Sequence, residues 1–254
     1  MSLDIEWVST RLPGRRVVWF EIAASTMTEA ARLAGAGCAS GTLVVADQQV
    51  SGYGRYGRTW HSERESGLYV SFVLRLPRTE RYIPVLALAL GLATAEAISR
   101  NTNLGCDLRW PNDVLIGGRK AAGILVQLEE AAFITGIGIN VNHTLFPPEL
   151  EGVATSLRIA SGLVQSRERL LVELAGAVDS FVKMLIEGGR EPILRMFARA
   201  SSYVRGKRVI VDRGDNVIEG ITDGLDSDGF LFVRRSGGER TLVLAGGVRP
   251  APED

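Results

Sequence analysis

Residues 52–60 read Gly-Tyr-Gly-Arg-Tyr-Gly-Arg-Thr-Trp and satisfy two phosphate-loop patterns at once. Gly52, Gly54 and Gly57 spell the G-x-G-x-x-G dinucleotide fingerprint, while Gly52, Gly57, Arg58 and Thr59 come one residue short of a P-loop, with Arg in place of Lys. Both geometries need a strand entering the loop and a helix leaving it, because the helix N-terminus supplies the partial charge that holds the phosphates. Residues 60–66 lead instead into an alternating strand, so both matches are read as accidental. The residue types still suit a ligand: the glycines let backbone approach closely, Arg55 and Arg58 carry positive charge, and Tyr53, Tyr56 and Trp60 offer flat apolar faces. A loop of this kind fits an aromatic anion such as a nucleotide; a flexible solvated connection is the other reading.

A second constellation is Arg-Trp-Pro-Asn-Asp-Val-Leu-Ile-Gly-Gly-Arg-Lys-Ala-Ala-Gly-Ile-Leu at 109–125. The Gly117-Gly118 turn brings Asp113 and Lys120 face to face across a hairpin-like connection. Lys120 precedes small and apolar residues that carry it toward the interior, where an unpaired ammonium is costly and is normally kept for a charged ligand. An isolated surface charge is the bland alternative.

The elements that position these residues follow from periodicity. Strands are predicted over 42–47 and 67–76, the latter with Leu68, Val70, Phe72, Leu74 and Leu76 on one face and Tyr69, Ser71 and Arg75 on the other. A helix covers 84–99. Residues 122–142 read as two apolar strands joined by a tight turn near Glu129 and Glu130. A long helix runs from about Ser166 to Glu187, ends at Gly188-Gly189, and is followed by another beginning at Pro192. After Tyr203 the chain turns to short strands separated by Gly-Asp-Asn, Asp-Ser-Asp-Gly and Ser-Gly-Gly, which suggests a small barrel beyond a boundary near Gly206.

Composition bounds the rest. The chain has 254 residues, 46% of them hydrophobic, enough for a sizeable core, and its 29 basic and 29 acidic residues balance. That balance argues against a dedicated nucleic-acid binder. Cys38 and Cys106 stand alone, and His61 and His143 are the only histidines, so a reducing compartment and no structural zinc are expected. The uncharged stretch 83–95 is too short to cross a bilayer, and residues 1–12 lack the apolar core of a signal peptide. A cytoplasmic protein without membrane contact is the expectation.

The sequence resembles the biotin protein ligases, also called biotin–acetyl-CoA-carboxylase ligases. The likeness rests on residues 52–60 against the family's G-R-G-R-x-G-R-x-W loop and on 109–125 against K-W-P-N-D followed by K-x-x-G-I-L. Gly-Ile-Gly-Ile-Asn-Val-Asn at 136–142 matches G-x-G-I-N-V, and Ser-Thr-Met-Thr-Glu-Ala at 25–30 more weakly matches S-T-N-x-x-A. Four motifs in the family's order span about 20–145. Two positions depart: Tyr53 replaces the first loop arginine, and Arg109 the lysine that opens K-W-P-N-D.

The resemblance implies an α+β fold, with the mixed-sheet catalytic domain of the class II synthetase-like biotin/lipoate ligase superfamily over 1–205 and an SH3-like barrel over 206–254. It implies that biotin and ATP give biotinyl-5′-AMP, with Mg²⁺ accompanying the ATP. The biotinyl group then passes to a lysine on the biotin carboxyl carrier domain of a biotin-dependent carboxylase. Lys120 would draw the biotin carboxylate and the α-phosphate together, while Arg55 and Arg58 engage phosphates. Ser25, Thr26 and Gln49 would bind biotin's ureido region, with Gly123 and Leu125 lining its pocket. Trp60, Asn112 and Asn140 would lie near the adenylate, under a loop built on Gly52, Tyr53 and Gly54. No residue is assigned to hold a metal. Asp113 would either take a proton from the carrier lysine or pair with Lys120, and Thr26 with Glu29 also fits a helix capping box. Members that bind an operator carry a winged helix-turn-helix before the S-T motif; only 24 residues precede Ser25, so no sequence-specific DNA binding is expected. A homodimer is compatible with the resemblance. A lipoate–protein ligase and an RNA-binding module using the Gly-Arg-Tyr loop are the rival readings; the first lacks an expected R-x-x-G-G-G pattern, and the second leaves Lys120 without a role.

Overall fold

Val17–Ala23 (β1) and Leu43–Gln49 (β2) pair in parallel in a computed structural model that describes residues 2–76, 82–129, 132–212 and 217–252. Gly67–Leu74 (β3), Asp107–Arg109 (β4), Asp113–Ile116 (β5), Arg119–Glu129 (β6) and Ala132–Asn140 (β7) complete a seven-stranded mixed sheet in the order β1-β2-β3-β7-β6-β5-β4. All pairs after the first are antiparallel. The predicted strands at 42–47 and 122–142 are thus present. The turn expected near Glu129 and Glu130 falls partly outside the described residues.

The 67–76 strand departs from its expected alternation, because all eight residues of β3 are buried. A central strand covered on both faces has no solvent side to mark with polar residues. One face joins the main core through Leu68, Val70 and Phe72. The other meets Thr26–Gly35 (α2) through Val73 in a second, smaller core with Met27, Ala30 and Ile134.

Tyr82–Thr102 (α3) runs past the expected 84–99, and over Ile83–Thr102 it is, contrary to the reading of 83–95, apolar and long enough to span a membrane; here it is a core helix, with Leu86, Leu88, Leu90 and Ile98 fully buried. It packs against Arg167–Gly188 (α5), Arg190–Ala200 (α6) and β6. Ser166 caps α5 by accepting from Arg169 N, as its position before the apolar run suggests. The α6 helix starts at Arg190, two residues before the expected Pro192, with the proline still in its first turn. Arg167 at the head of α5 is buried with Asp47 of β2, Nη1 to Oδ1 2.9 Å, and also donates to the carbonyl of Gly67 at 3.2 Å. That pair fastens the helix layer to two strands beside the site. Ile5–Arg11 (α1) and Leu157–Ser161 (α4) are short helices that periodicity did not reveal.

Arg205–Asp212 (β8), Val217–Leu225 (β9), Leu231–Arg234 (β10), Arg240–Val243 (β11) and Gly247–Pro250 (β12) form a separate antiparallel sheet in the order β11-β10-β9-β8-β12. It meets the rest of the chain at Trp110, whose Nε1 donates to the carbonyl of Gly229 at 2.9 Å.

Candidate functional site

A cleft of about 270 Å³ opens over one face of the large sheet, between the N-terminus of α2, the 52–60 loop and the β5–β6 hairpin. Fourteen of the fifteen residues singled out in the sequence line it; Gly52 does not. Gly52 is buried at the root of the loop, where a Cβ would lie 2.8 Å from both Gln49 Nε2 and Ser62 Oγ, so its role is to let the loop pass.

Crossing the sheet from β2 to β5, the chemistry of the cleft changes. At the β2–β3 end, Gln49 Oε1 accepts from Thr26 N at 2.8 Å and Thr26 Oγ1 at 3.1 Å, and Gln49 Nε2 donates to Ser62 Oγ at 3.0 Å. Ser71 Oγ donates to Thr26 Oγ1 at 2.8 Å. Ser25 alone caps α2, accepting from Met27 N at 3.2 Å. The Thr26–Glu29 capping box is therefore absent: Thr26 is committed to Gln49, and Glu29 pairs with Arg32. This end is a neutral network of hydroxyls and one amide.

The middle is floored by glycine. Gly123 of β6 and Gly138 of β7 face each other in register, and the Trp60 ring lies on both. A Cβ on Gly138 would stand 2.5 Å from Trp60 Cε2, and one on Gly123 2.9 Å from Cζ3, so no other residue admits the indole this close. Trp60 Nε1 is buried without a hydrogen-bond partner, which leaves a donor inside the cleft.

The β5 end is ionic. Lys120 Nζ stands 2.6 Å from Asp113 Oδ1, and Arg109 reaches Asp113 Oδ2 through Nη2 at 2.7 Å and Nε at 3.2 Å. Burial pushes the Asp113 carboxyl up, but Lys120 and Arg109 outweigh it and hold the group below the usual carboxylate range. Asp113 is thus paired with two cations, as the pairing alternative expects. Lys120 keeps 30% of its side chain exposed toward the cleft and lies 5.2 Å from the Trp60 ring.

The 52–60 loop carries no helix beyond one tight turn at Arg55–Gly57, where Tyr56 takes φ 60°, and Tyr53 and Thr59 bridge across it. The phosphate-loop geometries are therefore absent, as the flanking sequence implied. Arg55 Nη1 donates to Asn112 Oδ1 at 3.3 Å and to Gly246 O at 3.1 Å, while burial lowers its pKa below the ordinary arginine value. Arg58 is exposed at the cleft's edge. Tyr53 packs against the smaller core beside Leu125, and its hydroxyl donates to Gln127 Oε1 at 3.3 Å.

Both asparagines line the cleft but turn their amide nitrogens to backbone. Asn112 Nδ2 donates to Ile124 O at 2.9 Å, and Asn140 Nδ2 to Thr155 O at 3.1 Å. The sequence reading missed Gly138, which sits inside the quoted 136–142 motif, and Gly247, which comes from the C-terminal sheet. It also missed that His61 and His143, far apart in the chain, stand with ring centroids 5.7 Å apart. Burial, reinforced by His61, pushes His143 down to about 4.

Residues 19–143 match the Biotin/lipoate A/B protein ligase family and residues 205–248 the Biotin protein ligase C terminal domain. The chain is 30% identical over 245 residues to the bifunctional ligase/repressor BirA of Bacillus subtilis, covering 94% of this chain and 75% of that protein. It is 30% identical over 226 residues to the biotin–[acetyl-CoA-carboxylase] ligase of Mycobacterium tuberculosis, covering 85% and 81%. A solved biotin protein ligase from Aquifex aeolicus, in complex with biotin and ATP, superposes with a TM-score of 0.83 at 31% identity, over 93% of this chain and 99% of that one. With the motifs, the two-sheet architecture and the cleft in agreement, the chain belongs to the biotin protein ligase family.

Proposed function

We propose that this protein activates biotin with ATP and transfers it to a lysine of a biotin carboxyl carrier domain. The observation that carries the reading is the graded cleft: neutral hydroxyls and an amide at one end, cations at the other, and a glycine floor under Trp60 between them. Biotin has the same polarity, with an uncharged ureido ring at one end and a carboxylate at the other. In the first step a carboxylate oxygen forms a bond to the α-phosphorus of ATP and pyrophosphate departs. In the second the carrier's neutral ε-amine attacks the acyl carbon, AMP departs with the bonding electrons, and the proton lost by the nitrogen passes to water.

The attacking carboxylate is already an anion, so the first step needs no base; the site must bring two anions together and hold them. Lys120 has the position and exposure for that task. Arg58 at the cleft's edge suits the polyphosphate, whereas Arg55 must release Gly246 O before it can reach a phosphate. Thr26 and Gln49 offer the ureido group a preformed network. ATP enters as its Mg²⁺ complex, with the ion carried by the phosphates: Asp113, the one carboxylate among the described residues lining the cleft, already pairs with two cations. In this reading residues 1–205 bind both substrates and 206–254 form an appended unit that closes one side of the cleft.

Incubating the protein with biotin, MgATP and an apo carrier domain should give a carrier heavier by one biotinyl group on one lysine. Intact carrier, with the protein folded and biotin in excess, would contradict the proposal.

A further inference from the structure

The chain's only two histidines meet beside the cleft, and the sheet register explains why. Gly67 of β3 pairs with Asn140 of β7, so the segment before β3 and the segment after β7 leave the same end of the sheet together. Asn142 N donates to Ser66 O at 2.6 Å and holds them side by side. His61 and Glu63 come from the first segment and His143 from the second, with one ligand atom from each of the three lying within 4.8 Å of the others.

We propose that His61, Glu63 and His143 bind one divalent transition-metal ion of the zinc type. The hydrogen bonds around His143 identify the nitrogen that is available. Tyr69 gives its single hydroxyl proton to Glu63 O at 2.9 Å, so at its 3.3 Å contact with His143 Nε2 the ring nitrogen is the donor. The lone pair is then on Nδ1, which is buried and has no hydrogen-bond partner, although His143 itself is fully buried. A ligating histidine characteristically donates its second N–H to an oxygen that fixes its tautomer, and Tyr69 already fills that place. Phe146 stacks on His143 with centroids 5.2 Å apart and holds the ring.

Two imidazoles and one carboxylate suit zinc, cobalt or nickel; magnesium and calcium prefer oxygen throughout. Ligand atoms about 2.1 Å from a tetrahedral ion lie roughly 3.4 Å from one another, so the cluster, its atoms within 4.8 Å, must draw in by up to about 1.4 Å. His61 is half-buried and Glu63 exposed, which leaves both able to move onto the fixed His143. Three protein ligands leave one coordination position, and because His61 lines the cleft, the ion borders the substrate site without using Lys120 or Asp113. This is separate from the magnesium that enters with ATP.

The test uses the full chain, stripped with a chelator and dialysed, titrated with Co²⁺ and Zn²⁺, with Mg²⁺ in parallel. One equivalent of Co²⁺ should bind with visible absorption bands of low-symmetry nitrogen–oxygen coordination, Zn²⁺ should displace it, and Mg²⁺ should not. His61→Ala and Glu63→Gln change accessible side chains and should each weaken binding by at least the roughly 10- to 100-fold that disturbing outer-shell partners costs. His143→Gln should abolish it, and if that variant does not fold the other two carry the test. No bound cobalt in the wild type, or unchanged affinity in His61→Ala and Glu63→Gln, would overturn the site and direct any residual binding to the cysteines.

Discussion

Lys120 is held in the cleft by a carboxylate that keeps a second cation of its own. Because Arg109 still pairs with Asp113 when the lysine is gone, Lys120→Ala should fold normally. Its rate of biotinyl-AMP formation should fall on the order of 10²-fold or more, the scale of one well-placed electrostatic stabiliser. Near-normal adenylation in the folded variant would place the decisive cation elsewhere. Tyr53 raises a different question, since the family's arginine is replaced at that point. A side chain facing the ligand would make Tyr53→Arg slow adenylate release, but Tyr53, in the cleft wall, packs its ring against the smaller core and bonds Gln127. An arginine there must bring a charge against apolar surface and loosens the loop, so dissociation of preformed biotinyl-AMP should quicken. A slower release that weakens with salt would restore the ligand-facing view. Residue types and order brought Lys120, Asp113 and the 52–60 loop together as candidates before the fold did, and the structure lines one cleft with them. The direction of Tyr53 was not legible: tyrosine serves as anchor or as binding face, and only its neighbours decide.

The 52–60 loop and the β6–β7 ladder act together at the scale of elements. The loop lays Trp60 on Gly123 and Gly138, and the strand register brings those two glycines opposite one another. Gly138→Ala should therefore push the indole off the sheet while keeping the strand, which has ordinary extended partners on both sides. Trp60 fluorescence should shift toward that of an exposed indole, and adenylate affinity should drop by about tenfold or more, the equivalent of about 1.4 kcal/mol. An unchanged emission spectrum and affinity would show that the loop has room the structure does not display. Residues 166–187 were readable because they present an apolar stripe to the core, and 84–99 because it is an almost unbroken apolar run that has to be buried. Less was readable in β1, an edge strand with irregular burial, and in α1, whose seven residues bury only Val8. The full burial of β3 also escaped the pattern, since its second face packs on α2, which lies far away in sequence only until the chain folds.

The whole molecule closes the cleft with its C-terminal sheet. Trp110 Nε1 bonds Gly229 O across the junction, and Arg55 ties the loop to Gly246 O. Trp110→Phe should keep the apolar contact and leave a buried carbonyl unpaired, at a cost of about 1–3 kcal/mol in unfolding free energy. Equal denaturant midpoints for the two proteins would mean that the junction is wet. The contribution of Gly246 and Gly247 was invisible in the sequence, because nothing in a Gly-Gly pair at the head of a short strand indicates that it borders a site built far earlier in the chain. Biotin is the acid proposed to enter that site. Biotin-dependent exchange of pyrophosphate into ATP, run with lipoate in parallel, tests that proposal most directly, because exchange reports reversible adenylate formation without any carrier. Exchange should occur with biotin and not with lipoate, and should be lost in Lys120→Ala. Exchange that requires lipoate and ignores biotin would contradict the proposal.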